Sequence, residues 1–426
     1  MKTRRQTLSL MGAAAAAASL GLPGTGRAQA GRVVVVGGGF GGATTAKYLK
    51  RHDPAIAVTL VEPAERFYTC PFSNLHLAGL RDFAAIGHGF DELRALGVEV
   101  IHDLADDVDG TAQRVRLAGG AELAYDRLVL SPGIDMRWDS IEGYDASAAG
   151  KVPHAWKAGA QTRLLRRQLE EMEDGGVFVL AAPPNPFRCP PGPYERASLV
   201  ANYFKRAKPR SKVLILDAKN GFSKQGLFAA GWKELYGGMI EWVGQSDDGR
   251  VIRVDAERRE VETEFGNIHR ADVLNVVPAQ KAGLIAERAG VTDSSGWVPV
   301  KPETFESRVV PGIHVVGDAT VAAPMPKSGF SASAQGKVVA AVIAAMLNGR
   351  TPPQPAWTNT CYSLLSPDYG ISVAGHYRLV DGEIAEVPDA GGLSPADADS
   401  AFRRAEARYA VGWYEAITQD VWGRRW

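Results

Sequence analysis

The run Arg32-Val33-Val34-Val35-Val36 feeds directly into Gly37-Gly38-Gly39-Phe40-Gly41-Gly42, and this junction narrows the choice of fold more than any other stretch of the chain. Consecutive β-branched residues bounded by glycines read as a strand buried on both faces. Gly37, Gly39 and Gly42 fit G-x-G-x-x-G, in which the first glycine permits a tight turn, the second lets the backbone approach a pyrophosphate, and the third lets a helix pack on the strand. A second strand, Ala57-Val58-Thr59-Leu60-Val61, ends at Glu62, twenty residues after Gly42. That is where an acceptor for a ribose 2′-hydroxyl belongs. The spacing predicts a βαβ dinucleotide-binding unit.

Two later segments say which dinucleotide. Val309 to Ala319 is an apolar strand closing on Gly317-Asp318, and Tyr125 to Gly133 is another closing on Ser-Pro-Gly. Together they resemble the signatures of flavoproteins with two dinucleotide domains, in which such an aspartate holds a ribityl hydroxyl of FAD. The resemblance implies an α/β fold: two Rossmann-like dinucleotide-binding domains of the glutathione-reductase type, plus a C-terminal α+β domain. The expected FAD domain is discontinuous, residues 31–145 and 285–355, with a second domain at 146–284 and the C-terminal domain at 356–426.

The second domain opens on the strand Gly176-Val177-Phe178-Val179-Leu180, followed by Ala181-Ala182-Pro183-Pro184-Asn185-Pro186-Phe187-Arg188-Cys189-Pro190-Pro191-Gly192-Pro193. A pyridine nucleotide needs glycines at this turn so that its pyrophosphate meets bare backbone. Prolines lack the N–H donors and fix φ. The expectation is a nucleotide domain that has lost its nucleotide and gained a stiff loop with a thiol.

Residues 1–30 carry Arg4-Arg5, a short apolar run from Leu10 to Leu20 and Ala28-Gln29-Ala30, the pattern of a twin-arginine export signal. Its removal leaves 44 basic residues against 48 acidic ones, a balance with no footprint for nucleic acid. The best remaining apolar run, Val338 to Leu347, is shorter than the roughly 20 residues of a membrane span and reads as a buried helix face. The expected product is a soluble periplasmic protein.

An exported chain with three cysteines, Cys70, Cys189 and Cys361, forms at most one internal disulfide and leaves an odd sulfur. An oxidising compartment favours pairing, and three pairs are open. Here the chain resembles the flavoprotein subunit of flavocytochrome c sulfide dehydrogenase. The likeness is carried by the export signal, the glycine loop, Tyr68-Thr69-Cys70-Pro71-Phe72-Ser73-Asn74, Cys189-Pro190-Pro191-Gly192-Pro193-Tyr194-Glu195-Arg196, Gly317-Asp318 and Gly412-Trp413-Tyr414. It implies that Cys70 bonds the flavin 8α carbon as a thioether, and that Cys189 and Cys361 form a redox-active disulfide beside the ring. Hydrosulfide attack on that disulfide then sends two electrons to FAD. Glu195 is the expected proton-handling residue. Lys327, in the matched stretch Pro326-Lys327-Ser328-Gly329-Phe330, is placed among the cofactor-binding positions, opening a helix from about Ser331 to Leu347.

The sequence holds no C-x-x-C-H haem motif, and its eight histidines do not cluster at metal-ligand spacing, so no metal site is expected and electrons need a separate acceptor. The resemblance implies a small c-type cytochrome subunit in a heterodimer. Phe402, Ala405, Tyr409 and Trp413 share a helical stripe, expected to pack in the core, with a cytochrome or dimer contact as its second use. Sulfide:quinone oxidoreductase shares the fold and the cysteine chemistry but lies on a membrane; the mixed charges of this tail give no basic face for one. The other alternative is a non-catalytic flavoprotein that activates a sulfur-oxidising partner through its disulfide.

Overall fold

The computed structural model describes residues 30–423; the twin-arginine stretch lies outside them. Arg32–Val36 is the central strand of a five-stranded parallel sheet, with Val33 to Val36 buried. Its order is Ile313–Val315, Arg127–Leu130, Arg32–Val36, Ala57–Val61, Val98–Ile101. The helices Phe40–His52 and Gly329–Leu347 pack together over this sheet. Parallel strands need cover on both faces, which is why these strands read as unbroken apolar runs.

A second parallel sheet has the order Ile240–Val243, Lys212–Asp217, Val177–Ala182, Val273–Val276. The helices Gly192–Ala207 and Gln225–Tyr236 pack beside it. The C-terminal unit is a long antiparallel hairpin, Ala356–Ser366 with Tyr369–Val380, extended by Glu383–Glu386 and covered by the helix Ser400–Trp422. Ala356–Ser366 touches the helix Gly329–Leu347 of the first domain and the helix Gly192–Ala207 of the second. Residues at its centre are thereby wedged between the two.

Helix Gly329–Leu347 starts earlier than the sequence suggested, because the Ser328 hydroxyl accepts from Ser331 N at 3.0 Å and caps its first turn. Among the described residues it is the one helix long and apolar enough to cross a membrane, yet 61% of its most apolar window is buried within the fold.

The C-terminal helix corrects one expectation. Phe402 is 42% exposed and Tyr409 62% exposed, so these two do not face the core, whereas Trp413 of the same stripe packs half-buried against Phe330. The buried face instead carries Arg403, Glu406, Ala407, Ala410, Tyr414, Ile417 and Val421. An apolar stripe alone misled because Arg403 and Glu406 pair with each other and go inside together. At the helix end, Lys47 Nζ donates to the carbonyls of Asp420 at 2.6 Å and Gly423 at 2.9 Å, satisfying acceptors that a helix terminus leaves open. Trp422 Nε1 donates to Gly38 O at 3.1 Å, so this helix braces the glycine loop.

Candidate active site

The glycine loop has the geometry its motif demands. Gly37 has φ +99°, and a Cβ there would stand 2.3 Å from Ser131 O; at Gly42 a Cβ would meet Gly37 O at 1.9 Å. Gly39 lies between them, against the Phe67 ring. Glu62 sits at the loop, accepting from Gly38 N at 2.8 Å and from Ala64 N at 3.0 Å. At the carboxyl end of the same sheet, Gly317 and Asp318 form a tight turn after Ile313–Val315. Asp318 Oδ1 is buried with no hydrogen-bond partner, and burial pushes its carboxyl pKa up. A bare glycine cradle and an orphaned acceptor at the sheet's carboxyl edge fit the pyrophosphate and a ribityl hydroxyl of FAD. Lys327 is a staple of this turn: its ammonium donates to Asp318 O at 2.8 Å and Thr320 O at 2.7 Å and lies 3.8 Å from the Trp297 ring. Burial brings its pKa down to about 8, against the pull of Asp318.

The three cysteines are free thiols, and Cys189 lies close enough to Cys361 and Cys70 for each to act on its charge. Cys189 ends the proline loop in a left-handed conformation, φ +59°. Its N–H donates to Lys327 O at 2.8 Å and its carbonyl accepts from Gly192 N at 2.8 Å, which locks the loop between the first domain and its own helix. Cys361 lies midway along Ala356–Ser366. Cys70 Sγ donates to Trp156 O at 3.3 Å. Next to it Thr69 is buried against the Tyr414 hydroxyl at 2.8 Å. Burial first, then the charges of Cys361, Glu195 and Cys70, push the Cys189 thiol pKa up. Burial also raises that of Cys361, but Lys224 opposes it there.

Glu195, in the first turn of Gly192–Ala207, joins the sulfur segments. Its carboxylate accepts from Asn74 Nδ2 at 2.8 Å and from Leu364 N at 2.9 Å, one residue near Cys70 and one near Cys361. Burial raises its pKa, with those two donors pulling the other way. It does not pair with Arg196, whose guanidinium turns instead to Asn74 Oδ1 (3.1 Å), Asn275 Oδ1 (2.8 Å) and the carbonyls of His154 and Ala155. Burial lowers the Arg196 pKa to about 10, countered by Cys70, Cys189 and Glu195. Asn74, Arg196 and Lys224 were not legible as a set, because nothing in Asn220-Gly221-Phe222-Ser223-Lys224 distinguishes its lysine from a surface one. Only the fold turns Lys224 inward, to Ser363 Oγ at 2.8 Å and Cys361 O at 3.4 Å.

Residues 162–278 match the family model of the sulfide dehydrogenase [flavocytochrome c] flavoprotein chain, central region. Residues 353–422 match that of the flavocytochrome c sulphide dehydrogenase flavin-binding region. Residues 31–171 match the pyridine nucleotide-disulphide oxidoreductase model. The sulfide dehydrogenase [flavocytochrome c] flavoprotein chain of Chlorobaculum thiosulfatiphilum is 77% identical over 43 residues, 10% of this chain and 90% of that sequence. The chain belongs to the flavocytochrome c sulfide dehydrogenase flavoprotein family. As a member of this family it is a flavin-dependent, sulfide-oxidising oxidoreductase. The mitochondrial sulfide:quinone oxidoreductase of Mus musculus is 25% identical over 332 residues, 75% of this flavoprotein and 72% of the mouse protein. The sulfide:quinone oxidoreductase structure from Aquifex aeolicus superposes with a TM-score of 0.68, covering 92% of this flavoprotein and 91% of its own chain at 20% identity, which shows a shared fold.

Proposed function

We propose that this chain is a periplasmic sulfide dehydrogenase flavoprotein that oxidises sulfide through a Cys189–Cys361 disulfide and delivers the electrons to a c-type cytochrome subunit. The observation that carries the reading is the convergence of Cys189, Cys361 and Glu195 between the two dinucleotide-type domains, on the side where the Asp318 turn meets the proline loop. FAD, held by the glycine loop and Asp318 and bonded through Cys70, supplies a two-electron acceptor when bound. The protein's part is to bring hydrosulfide to a disulfide held in a stiff loop, to keep bulk water from the pair, and to hold a carboxyl at Glu195 that exchanges a proton with the incoming sulfur species. The exposed Phe402 and Tyr409 support a protein acceptor, since aromatic side chains left on a surface are typical anchors of an interface.

The test is anaerobic stopped-flow reduction of the bound flavin by sulfide in Cys189→Ser and Cys361→Ser. Each variant is expected to lose most of the reduction while keeping its FAD. Near-normal rates in both would point to direct attack of sulfide on the cofactor.

A second reading, sulfide:quinone oxidoreductase, is favoured by one feature. A cavity of about 450 Å³ between Phe330, Val338, Trp413 and Ile417 is apolar enough for a quinone ring. Turnover with a short-chain quinone in place of cytochrome c separates the two.

A further inference from the structure

Lys224 is 5% exposed and precedes the helix Gln225–Tyr236 with φ +62°. Both acceptors of its ammonium, Ser363 Oγ and Cys361 O, are neutral groups on the strand that carries Cys361. Glu195, Glu406 and the Cys189 sulfur act on it from further off, Glu406 being engaged by Arg403 and Ser394. Among the described residues no carboxylate forms an ion pair with it. A buried ammonium without a direct counter-ion is poorly stabilised unless an anion forms beside it. The groups close by that become anionic during disulfide opening are the two sulfurs, and they are not equivalent. Cys361 has Lys224. Cys189 has Arg188, but that guanidinium faces Asp318 at 3.9 Å and donates to Trp156 O, so its charge is largely spent. Arg196 also acts on Cys189, but its guanidinium is taken up by Asn74, Asn275 and the carbonyls of His154 and Ala155, while Cys361, Glu195 and Cys70 repel a negative charge there.

We propose that Lys224 is a positioning residue that sets the direction of disulfide opening: by holding Cys361 as the leaving thiolate, it directs the incoming sulfide onto Cys189. The proposal rests on the disulfide reading given above. Hydrosulfide forms a bond to Cys189 Sγ as the Cys189–Cys361 bond breaks. The electron pair of that bond leaves on Cys361 Sγ, and the hydrosulfide proton stays on the terminal sulfur of a Cys189 persulfide. The sulfide sulfur is oxidised and the disulfide reduced, in balance. A leaving thiol whose anion is stabilised departs faster.

The experiment uses the full chain with its flavin. Protein reduced anaerobically by a phosphine is alkylated with iodoacetamide across a pH series, and each cysteine is quantified by peptide mass spectrometry. Cys361 is expected to react at lower pH than Cys189. Lys224→Met is expected to move the Cys361 midpoint up by about one unit or more, move that of Cys189 by less, and be largely rescued by Lys224→Arg. In oxidised wild type treated with sulfide and trapped, the persulfide is expected on Cys189, and in Lys224→Met it is divided between both cysteines. An unmoved Cys361 midpoint in folded Lys224→Met, or a wild-type persulfide on Cys361, overturns the proposal. Should Lys224→Met not fold, Ser363→Ala removes the hydroxyl that aims the ammonium; a smaller upward shift supports the proposal and no shift overturns it. A wild type that forms no persulfide on either cysteine sinks the disulfide reading itself, while the alkylation midpoints still decide the role of Lys224.

Discussion

The backbone N–H of Leu364 donates to Glu195 at 2.9 Å, tying the strand of Cys361 to the helix that follows Cys189 across 169 positions of sequence. Because the same carboxylate accepts from Asn74, the segments carrying all three cysteines share one acid. A single buried carboxylate with two fixed donors holds three chain segments in register more strictly than apolar packing alone, since losing it strands two polar groups.

Cofactor attachment is the first expectation. Cys70 is the sulfur left over by the proposed disulfide, so acid-precipitated protein should keep its yellow colour, and Cys70→Ala should release FAD under the same treatment. Flavin that washes out of denatured wild type removes the thioether assignment.

NADH and NADPH are expected not to bleach the flavin at a useful rate. The N-terminus of Gly192–Ala207, where a pyrophosphate would dock, is already filled: a Cβ on Gly192 would stand 2.8 Å from the Trp156 indole and 3.1 Å from Cys189 Sγ. Rapid anaerobic reduction by either nucleotide, followed at the flavin band, counts against this.

Trp422 offers a graded stability test. Trp422→Phe keeps a ring to stack on Phe67 and His88 but loses the donor to Gly38 O, and should cost about 1 kcal/mol. Trp422→Ala also loses the packing and should cost about 3–5 kcal/mol. Chemical denaturation measures both, and the fraction of protein that incorporates flavin should fall in the same order.

Acid sensitivity should come from buried neutral histidines. His314 is fully buried, with Nδ1 on Thr304 O at 2.9 Å, and burial pushes its pKa down to about 4. The unfolded chain therefore takes up this proton near pH 6.5 while the folded protein resists until about pH 4. Stability falls as pH drops through that window, by about 3 kcal/mol from this group at its lower end. His88 and His154, at about 4 and about 3, act in the same direction. His314→Asn should flatten the slope of melting temperature against pH below neutrality; an unchanged slope refutes the assignment.

The glycine loop, its strand and Asp318 were legible because backbone geometry demands specific residues there: no side chain fits at Gly37 or Gly42. The paired sheets were legible from unbroken apolar runs. Cys189 and Cys361 are 172 positions apart, and their approach depends on a hairpin docking between two domains, which no local pattern encodes. Lys224 was invisible for a related reason, since burial of a lysine is decided by what packs over it. The C-terminal stripe was misread at Phe402 and Tyr409 because a mutual Arg403–Glu406 pair lets two charged residues share the buried face with Ala407, Ala410, Tyr414 and Ile417.

The indole of Trp422 bonds to a carbonyl of the nucleotide loop 384 positions upstream. Synthesis runs from the loop toward the helix, so the loop emerges long before its brace exists. A nascent chain lacking residues 400–422 has the glycines but not the wall behind them. Cofactor loading is therefore expected to come late in biogenesis, and a chain truncated within that helix is expected to take up FAD poorly.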